Sequence, residues 1–350
     1  MVLPVLLITT GLFYDHFTPS EFTAVPFFTA APLVAAPLYS LHGTVTTGVA
    51  SVAGITVRIL YDDTSHEDAV TEVVTVATVA VLAVLINRLA RRSDARLATA
   101  HEIAEAAQRA VLPVPQERIG GLEIAARYEA AQTGASIGGD LYAVQDSPHG
   151  LRLIVGDVRG KGLGAVSEVA VLIGAFREAA EQESTLEAVV QRLERALARE
   201  STRREATRRD ATERYEGFVT AVLAEFPHGA GRARTVNRGH PSPLLLHADG
   251  TVRILDAPHP ALPLGMDDLG AWPDRADDTV FPPGATLLFY TDGLSEARDA
   301  RGVFYDPAER LSGRTFSAPR ALLATLSEEV RRHTGGRTTD DMALLAVRRT

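Results

Sequence analysis

The sequence predicts an α+β domain preceded by an all-α transmembrane region. Two observations carry that expectation. Across residues 1–90 the only arginines or lysines are Arg58 and Arg88, set among long apolar stretches. From Pro115 onward, strand-like runs arrive in consecutive groups with a few helical patterns between them, which favours α+β over a doubly wound sheet. The whole-chain mean hydropathy of +0.04 averages these two regimes.

In the first region four apolar segments can be marked: Val2–Tyr14, Thr23–Leu41, Thr44–Leu60 and Val73–Leu89. A spanning helix needs about 20 apolar residues, so the last three fit and the first is short. Pro26, Pro32 and Pro37 are costly in a soluble helix but are tolerated in membrane helices. Asp15, His16 and Glu21 fall in the first break, and Asp62, Asp63, Glu67, Asp68 and Glu72 fill the third. Arg88, Arg91, Arg92 and Arg96 gather at the end of the fourth segment. Positive charge collects on the cytoplasmic side, so the rest of the chain is expected in the cytoplasm, below a multi-pass cell-membrane region of about four helices at residues 1–90.

Residues 91–115 form the expected connector. Leu97, His101, Ile103, Ala104, Ala107 and Leu112 recur close to helical spacing among Glu102, Glu105 and Arg109, and Pro113 and Pro115 end the pattern. Such a helix links membrane to cytoplasm, and it also offers a surface through which two chains can pair as a homodimer.

The remainder, residues 116–350, is the expected α+β domain. Its strand-like runs are Leu122–Tyr128, Leu151–Val158, Val219–Phe226, Arg232–Asn237, Pro243–His247, Val252–Leu255, Thr286–Tyr290 and Met342–Val347. Asp249-Gly250 marks a hairpin turn. Helical patterns cover Ala165–Glu183, Thr185–Glu200 and Arg320–His333. Residues Glu200–Glu216 are charged and poor in apolar side chains, and read as a solvated helix extension or a loop.

Composition removes several classes of function. The chain has no cysteine, which excludes a disulfide scaffold, a thiol nucleophile and sulfur-ligated metals. A net charge of −9 argues against nucleic acid as a partner. Lys161 is the one lysine in the chain, beside 34 arginines (35 basic residues less one); it sits in the most informative motif, where a structural or phosphate-side role is expected.

That motif is one of several in which aspartate falls at a strand end. Asp140 follows Gly138-Gly139. Asp157 ends the apolar run Leu153-Ile154-Val155 and belongs to Gly156-Asp157-Val158-Arg159-Gly160-Lys161-Gly162. Asp292 follows Leu287–Thr291 and precedes Gly293, and Asp340-Asp341 stand directly before Met342–Val347. Burying carboxylates there costs several kcal/mol unless they are paired or bind a cation, and an all-oxygen set suits Mg2+ or Mn2+. The glycine-rich run is not a P-loop: three residues rather than four separate Gly156 from Gly160-Lys161, and Gly162 follows the lysine. Nor does it match the dinucleotide pattern, because Gly160, Gly162 and Gly164 are evenly spaced. His240, in Asn237-Arg238-Gly239-His240-Pro241, lacks a serine–aspartate partner pattern and is not counted in the site.

Taken in order, Gly138-Gly139-Asp140, Gly156 through Gly162, Asn237 through Pro241, Tyr290-Thr291-Asp292-Gly293 and Asp340-Asp341-Met342 resemble the metal-dependent protein serine/threonine phosphatases of the PPM family, and most closely their bacterial SpoIIE-like branch. The resemblance runs from about Leu122 to Arg349. It implies an α-β-β-α sandwich of two antiparallel sheets flanked by helices, with two Mn2+ or Mg2+ ions at one end. Asp157 would bridge the ions with help from the Val158 carbonyl, Asp140 would be a ligand directly or through water, and Asp292 and Asp340 would complete the set. Asp157 and Asp292 would carry catalysis, since two such ions activate a water and neutralise the phosphoryl oxygens. One departure stands out: an aromatic followed by Tyr-Asp is frequent in the family after Gly-Gly-Asp, where this chain has Leu141-Tyr142-Ala143, which puts in question only an extra acidic ligand.

The resulting expectation is a membrane-anchored phosphoprotein phosphatase. Its substrate would be a phosphorylated regulatory protein such as an anti-anti-sigma factor of the STAS type. The competing expectation is a non-catalytic membrane receptor or scaffold whose phosphatase-like domain binds a partner; the complete acidic set argues against it. A two-metal nuclease lacks the basic track a polyanion needs.

Overall fold

A computed structural model describes residues 2–17, 23–61, 66–112, 114–130, 138–160, 162–207, 217–266, 269–270, 274–336 and 340–350. Lys161, Pro113, the acidic Glu21, Asp62 and Asp63 of the polar breaks, and residues 208–216 of the charged stretch lie outside them. The chain forms two compact units, Met1–Ala100 and His101–Thr350.

The first unit is helical: α1 (Val2–Phe17), α2 (Val25–Leu38), α3 (Leu41–Tyr61) and α4 (His66–Val111). Leu41–Tyr61 and Glu67–Arg92 are long and apolar enough to cross a membrane. The second expected span is shorter than its apolar run, because α2 has 14 residues, about 21 Å at 1.5 Å per residue. The reason is local. The Ser40 hydroxyl accepts from the Gly43 N–H at 3.2 Å and caps the start of α3, so the break falls at Tyr39-Ser40 rather than at His42-Gly43. The fourth expected span and the connector are one helix of 46 residues, since no glycine or proline interrupts His66–Leu112.

Phe28, Ile55 and Val76 fill the interior of this bundle, while Val74, Val81, Leu82, Leu85, Ile86 and Leu89 face outward. Prolines 32 and 37 lie inside α2. The buried Asn87 amide donates to the Ala36 and Tyr39 carbonyls at 2.6 and 2.9 Å, which satisfies backbone groups near the end of that helix.

After the last residues of α4, the second unit continues with β1 (Arg118–Ile119), β2 (Leu122–Glu129), β3 (Asp140–Ser147) and β4 (Gly150–Val158). Helices α5 (Leu163–Gln182) and α6 (Leu186–Thr207) follow. Next come β5 (Val219–Phe226), β6 (Arg232–Arg238), β7 (Leu244–Leu246), β8 (Val252–Ile254), β9 (Asp277–Val280) and β10 (Thr286–Tyr290). Short α7 (Asp292–Ser295) and α8 (Pro307–Leu311), then α9 (Pro319–His333), lead to β11 (Met342–Arg349).

Among the described residues these strands make two antiparallel sheets, ordered β1-β2-β11-β10-β7-β8 and β3-β4-β5-β6-β9. Helices α5 and α6 pack on the second sheet, and α9 packs on β2 and β11 of the first. The layers are therefore helix, sheet, sheet, helix, as the resemblance implies. Strand β11 shows why. Ala343, Leu345 and Val347 join the core between the sheets, whereas Met342, Leu344 and Ala346 join the core under α9, the period of two that a strand buried on both faces requires.

Strands β1, β9 and β3 are missing from the sequence reading, and β3, with 8 residues, is the longest of them. It begins on a carboxylate and ends on Gln145-Asp146-Ser147, which leaves an apolar run of only Leu141-Tyr142-Ala143-Val144 between polar ends; Asp140 to Ala143 are buried.

Candidate metal centre

Each carboxylate owes its place to strand register. Asp140 opens β3 and pairs with Asp157 near the end of β4. Residues directly opposite in an antiparallel pair project to the same face, so the two side chains share one side of the sheet. In the other sheet Tyr290 pairs with Leu344, which brings Asp292, just past β10, beside Asp340-Asp341, just before β11. Oxygen atoms of Asp140, Asp157 and Asp292 all lie within 4.8 Å of one another.

Asp340 lines the same cleft, of about 310 Å³, together with Val158, Gly138 and Gly139, but it does not share the 4.8 Å spacing of the other three. Asp340 is exposed and Asp341 is buried. Asp341 turns instead toward the glycine pair: a Cβ on Gly138 would lie 1.7 Å from its Oδ2. At Gly139 a Cβ would meet the Val158 carbonyl at 2.0 Å. The glycines let β3 approach β4 and the start of β11 more closely than any side chain permits.

Asp140 is the most constrained member. Its Oδ2 accepts from the Thr291 hydroxyl at 2.5 Å and from the Ala343 N–H at 3.1 Å. One carboxylate oxygen of the second sheet is thus fastened to two residues of the first. Burial holds the Asp140 carboxyl well above the usual carboxylate range, and the neighbouring Asp157, Asp292 and Asp341 push it the same way, against the Thr291 hydrogen bond. Carboxylates packed this closely repel unless a cation joins them, and the donors are all oxygen. The residues fit a hard divalent ion.

Sequence reasoning passed over Thr291 and the Ala343 N–H as anchors of Asp140, although Thr291 stands in a quoted motif. It also passed over Arg159, Phe218 and Thr220, which line the cleft; Thr220 is the cross-strand partner of Asp157. His240 does not line the cleft. Its Nδ1 meets the Thr220 hydroxyl at 3.0 Å, and burial pushes its pKa down to about 3 against hydrogen bonding to Tyr290 and Thr220. Ala143, where an acidic ligand was sought, is fully buried in the core.

The family model described as Stage II sporulation protein E (SpoIIE) matches residues 147–350, more than half of the chain. Asp140 precedes that stretch, and its place in the cluster rests on the β3–β4 register. The SiaA-PP2C domain of Pseudomonas aeruginosa superposes with a TM-score of 0.57 at 17% identity, covering 73% of this chain and 98% of that one. The PP2C phosphatase domain of SpoIIE from Bacillus subtilis, with a fragment of its regulatory domain, gives 0.51 at 18%, covering 65% and 62%. The RsbU and RsbW domains of a Mycobacterium tuberculosis protein give 0.49 at 26%, covering 68% and 61%. This chain thus spans about three-fifths of the last two. The chain belongs to the SpoIIE family, and its second unit has the fold of the PP2C phosphatase domains.

Proposed function

We propose that this chain is a membrane-anchored protein serine/threonine phosphatase that uses two Mn2+ or Mg2+ ions. In this proposal residues 1–90 form the membrane region, 91–115 the connector and 116–350 the catalytic domain, which lies in the cytoplasm. Asp140, Asp157, Asp292, Asp340 and the Val158 carbonyl hold the ions, with Asp157 and Asp292 central to catalysis. The observation that carries the proposal is the meeting of three carboxylates within 4.8 Å at the shared end of two sheets, in a chain of the SpoIIE family.

Divalent ions held there supply Lewis acidity that lowers the pKa of a water and neutralises charge on phosphoryl oxygens. The protein's part is rigidity. Thr291 and the Ala343 N–H hold one oxygen of Asp140, and the β3–β4 register fixes Asp157 beside it. Gly138 and Gly139 keep the approach free of side chains. The proposed substrate is a phosphorylated regulatory protein such as a STAS-type anti-anti-sigma factor, by analogy with the SpoIIE-like branch. Membrane anchoring is supported by two helices of spanning length and by Arg88, Arg91 and Arg92 at the end of the second. Pairing of two chains through the connector rests on its apolar spacing.

The test is phosphate release by the purified full chain with Mn2+, on p-nitrophenyl phosphate and on a panel of phosphorylated cytoplasmic regulators. Turnover that disappears in Asp157→Asn and Asp292→Asn without loss of fold is expected. A folded chain that binds Mn2+ and stays inert on every substrate overturns the proposal in favour of a partner-binding scaffold.

A further inference from the structure

Among the described residues lining the cleft, one side chain is basic: Arg159. It directly follows Val158, and its backbone N–H donates to the Phe218 carbonyl at 3.0 Å. This carries the β4–β5 ladder one step beyond the Val158–Val219 pair. Arg159 is exposed, and its guanidinium lies over the Phe218 ring, 5.1 Å from the centroid. A guanidinium held over an aromatic ring keeps its N–H donors as a rigid planar fork. That fork is the one that matches two oxygens of a phosphoryl group.

Charge gives the residue its purpose. Four carboxylates, Asp140, Asp157, Asp292 and Asp340, line the cleft, and two divalent cations would balance them charge for charge. A phosphomonoester is close to a dianion at neutral pH, so a balanced centre attracts it weakly unless another cation stands at the rim. Lysine would meet that need as a point charge; arginine adds orientation.

We propose that Arg159, seated on Phe218, binds the phosphoryl group of the substrate at the rim of this cleft, with Phe218 as its positioning residue. The proposal deepens the phosphatase reading and rests on it. Loss of a charge-assisted hydrogen bond to a bound phosphate weakens binding by about tenfold or more.

The test compares the full chain with Arg159→Gln, Arg159→Lys and Phe218→Leu, all with saturating Mn2+. The readouts are KM on a phosphoprotein, competitive inhibition by inorganic phosphate, Mn2+ affinity, and direct calorimetry with inorganic phosphate. Arg159→Gln is expected to raise both KM and the phosphate inhibition constant about tenfold or more while Mn2+ affinity holds. Arg159→Lys should recover part of the loss, and Phe218→Leu should fall between Lys and wild type. Unchanged KM and phosphate inhibition in Arg159→Gln overturn the proposal, as does an equal loss of Mn2+ affinity, which would mean that the residue acts through the metal site. If the wild-type chain turns over no substrate, the phosphatase reading fails. The calorimetric phosphate comparison still decides the role of Arg159: equal phosphate affinity in wild type and Arg159→Gln refutes it.

Discussion

Asp140→Asn separates the two things that its carboxylate does. The side chain is nearly isosteric, and the amide oxygen can still accept from the Thr291 hydroxyl and the Ala343 N–H, the contacts Asp140 Oδ2 makes at 2.5 and 3.1 Å. What disappears is a buried negative charge beside Asp157, Asp292 and Asp341. A carboxyl whose pKa is raised in the folded state destabilises the fold once it ionises, so metal-free protein loses stability as pH rises through that folded value. At neutral pH the metal-free variant should therefore melt above the metal-free wild type. The order reverses with metal. For the wild type, one ion at a hundred times its Kd adds about 2.7 kcal/mol, or about 5–11 °C at roughly 2–4 °C per kcal/mol for a unit of this size. The variant should keep less than half of that shift. Thermal melts of the full chain at pH 7, with chelator and with a Mn2+ series, measure both effects. A variant that melts several degrees below wild type in chelator and retains the full Mn2+ shift would refute the reasoning, because Asp140 would then be a structural anchor and not a ligand.

Other substitutions probe the surroundings of the site. Gly139→Ala places a Cβ 2.0 Å from the Val158 carbonyl and 2.8 Å from Asp157 Oδ1, so Mn2+ binding measured by calorimetry should fall at least tenfold. His240 is neutral in the fold, with its pKa lowered from 6.5 to about 3; its contribution is complete above pH 6.5 and is lost as pH falls toward 3. That loss amounts to about 5 kcal/mol, and urea unfolding of His240→Gln between pH 7 and 4 should show a flatter acid limb. Arg152 is fully buried, pairs with Glu225 at 2.5 Å and donates to the Ala180 carbonyl at 3.0 Å. Arg152→Met should cost about 3 kcal/mol by urea unfolding, the low end for a broken buried pair, because Arg234 also reaches Glu225 at 3.2 Å.

Much of the site was legible because its signals are local. Gly156-Asp157-Val158 and Tyr290-Thr291-Asp292-Gly293 each join an apolar strand to a turn, and both elements form where the pattern puts them. β3 was not legible, since a strand that starts with a ligand and ends in polar residues has no alternation to read. The end of α2 was also obscured, because one serine cap outweighed a continuous apolar run.

The sequence by itself determined the two regimes of the chain, most of the strands, and the aspartates that carry the chemistry, since each depends on side chains a few positions apart. Tertiary structure decided which of those aspartates meet. Asp140 reaches Asp157 only through antiparallel register, and it is fastened by Thr291 and Ala343, which stand 151 and 203 positions away along the chain. It also decided that Asp340 lines the cleft while Asp341 is buried against Gly138, and that Arg159 leans on Phe218. Those outcomes follow from two sheets packing face to face, and contacts between distant strands leave no periodic trace in either partner.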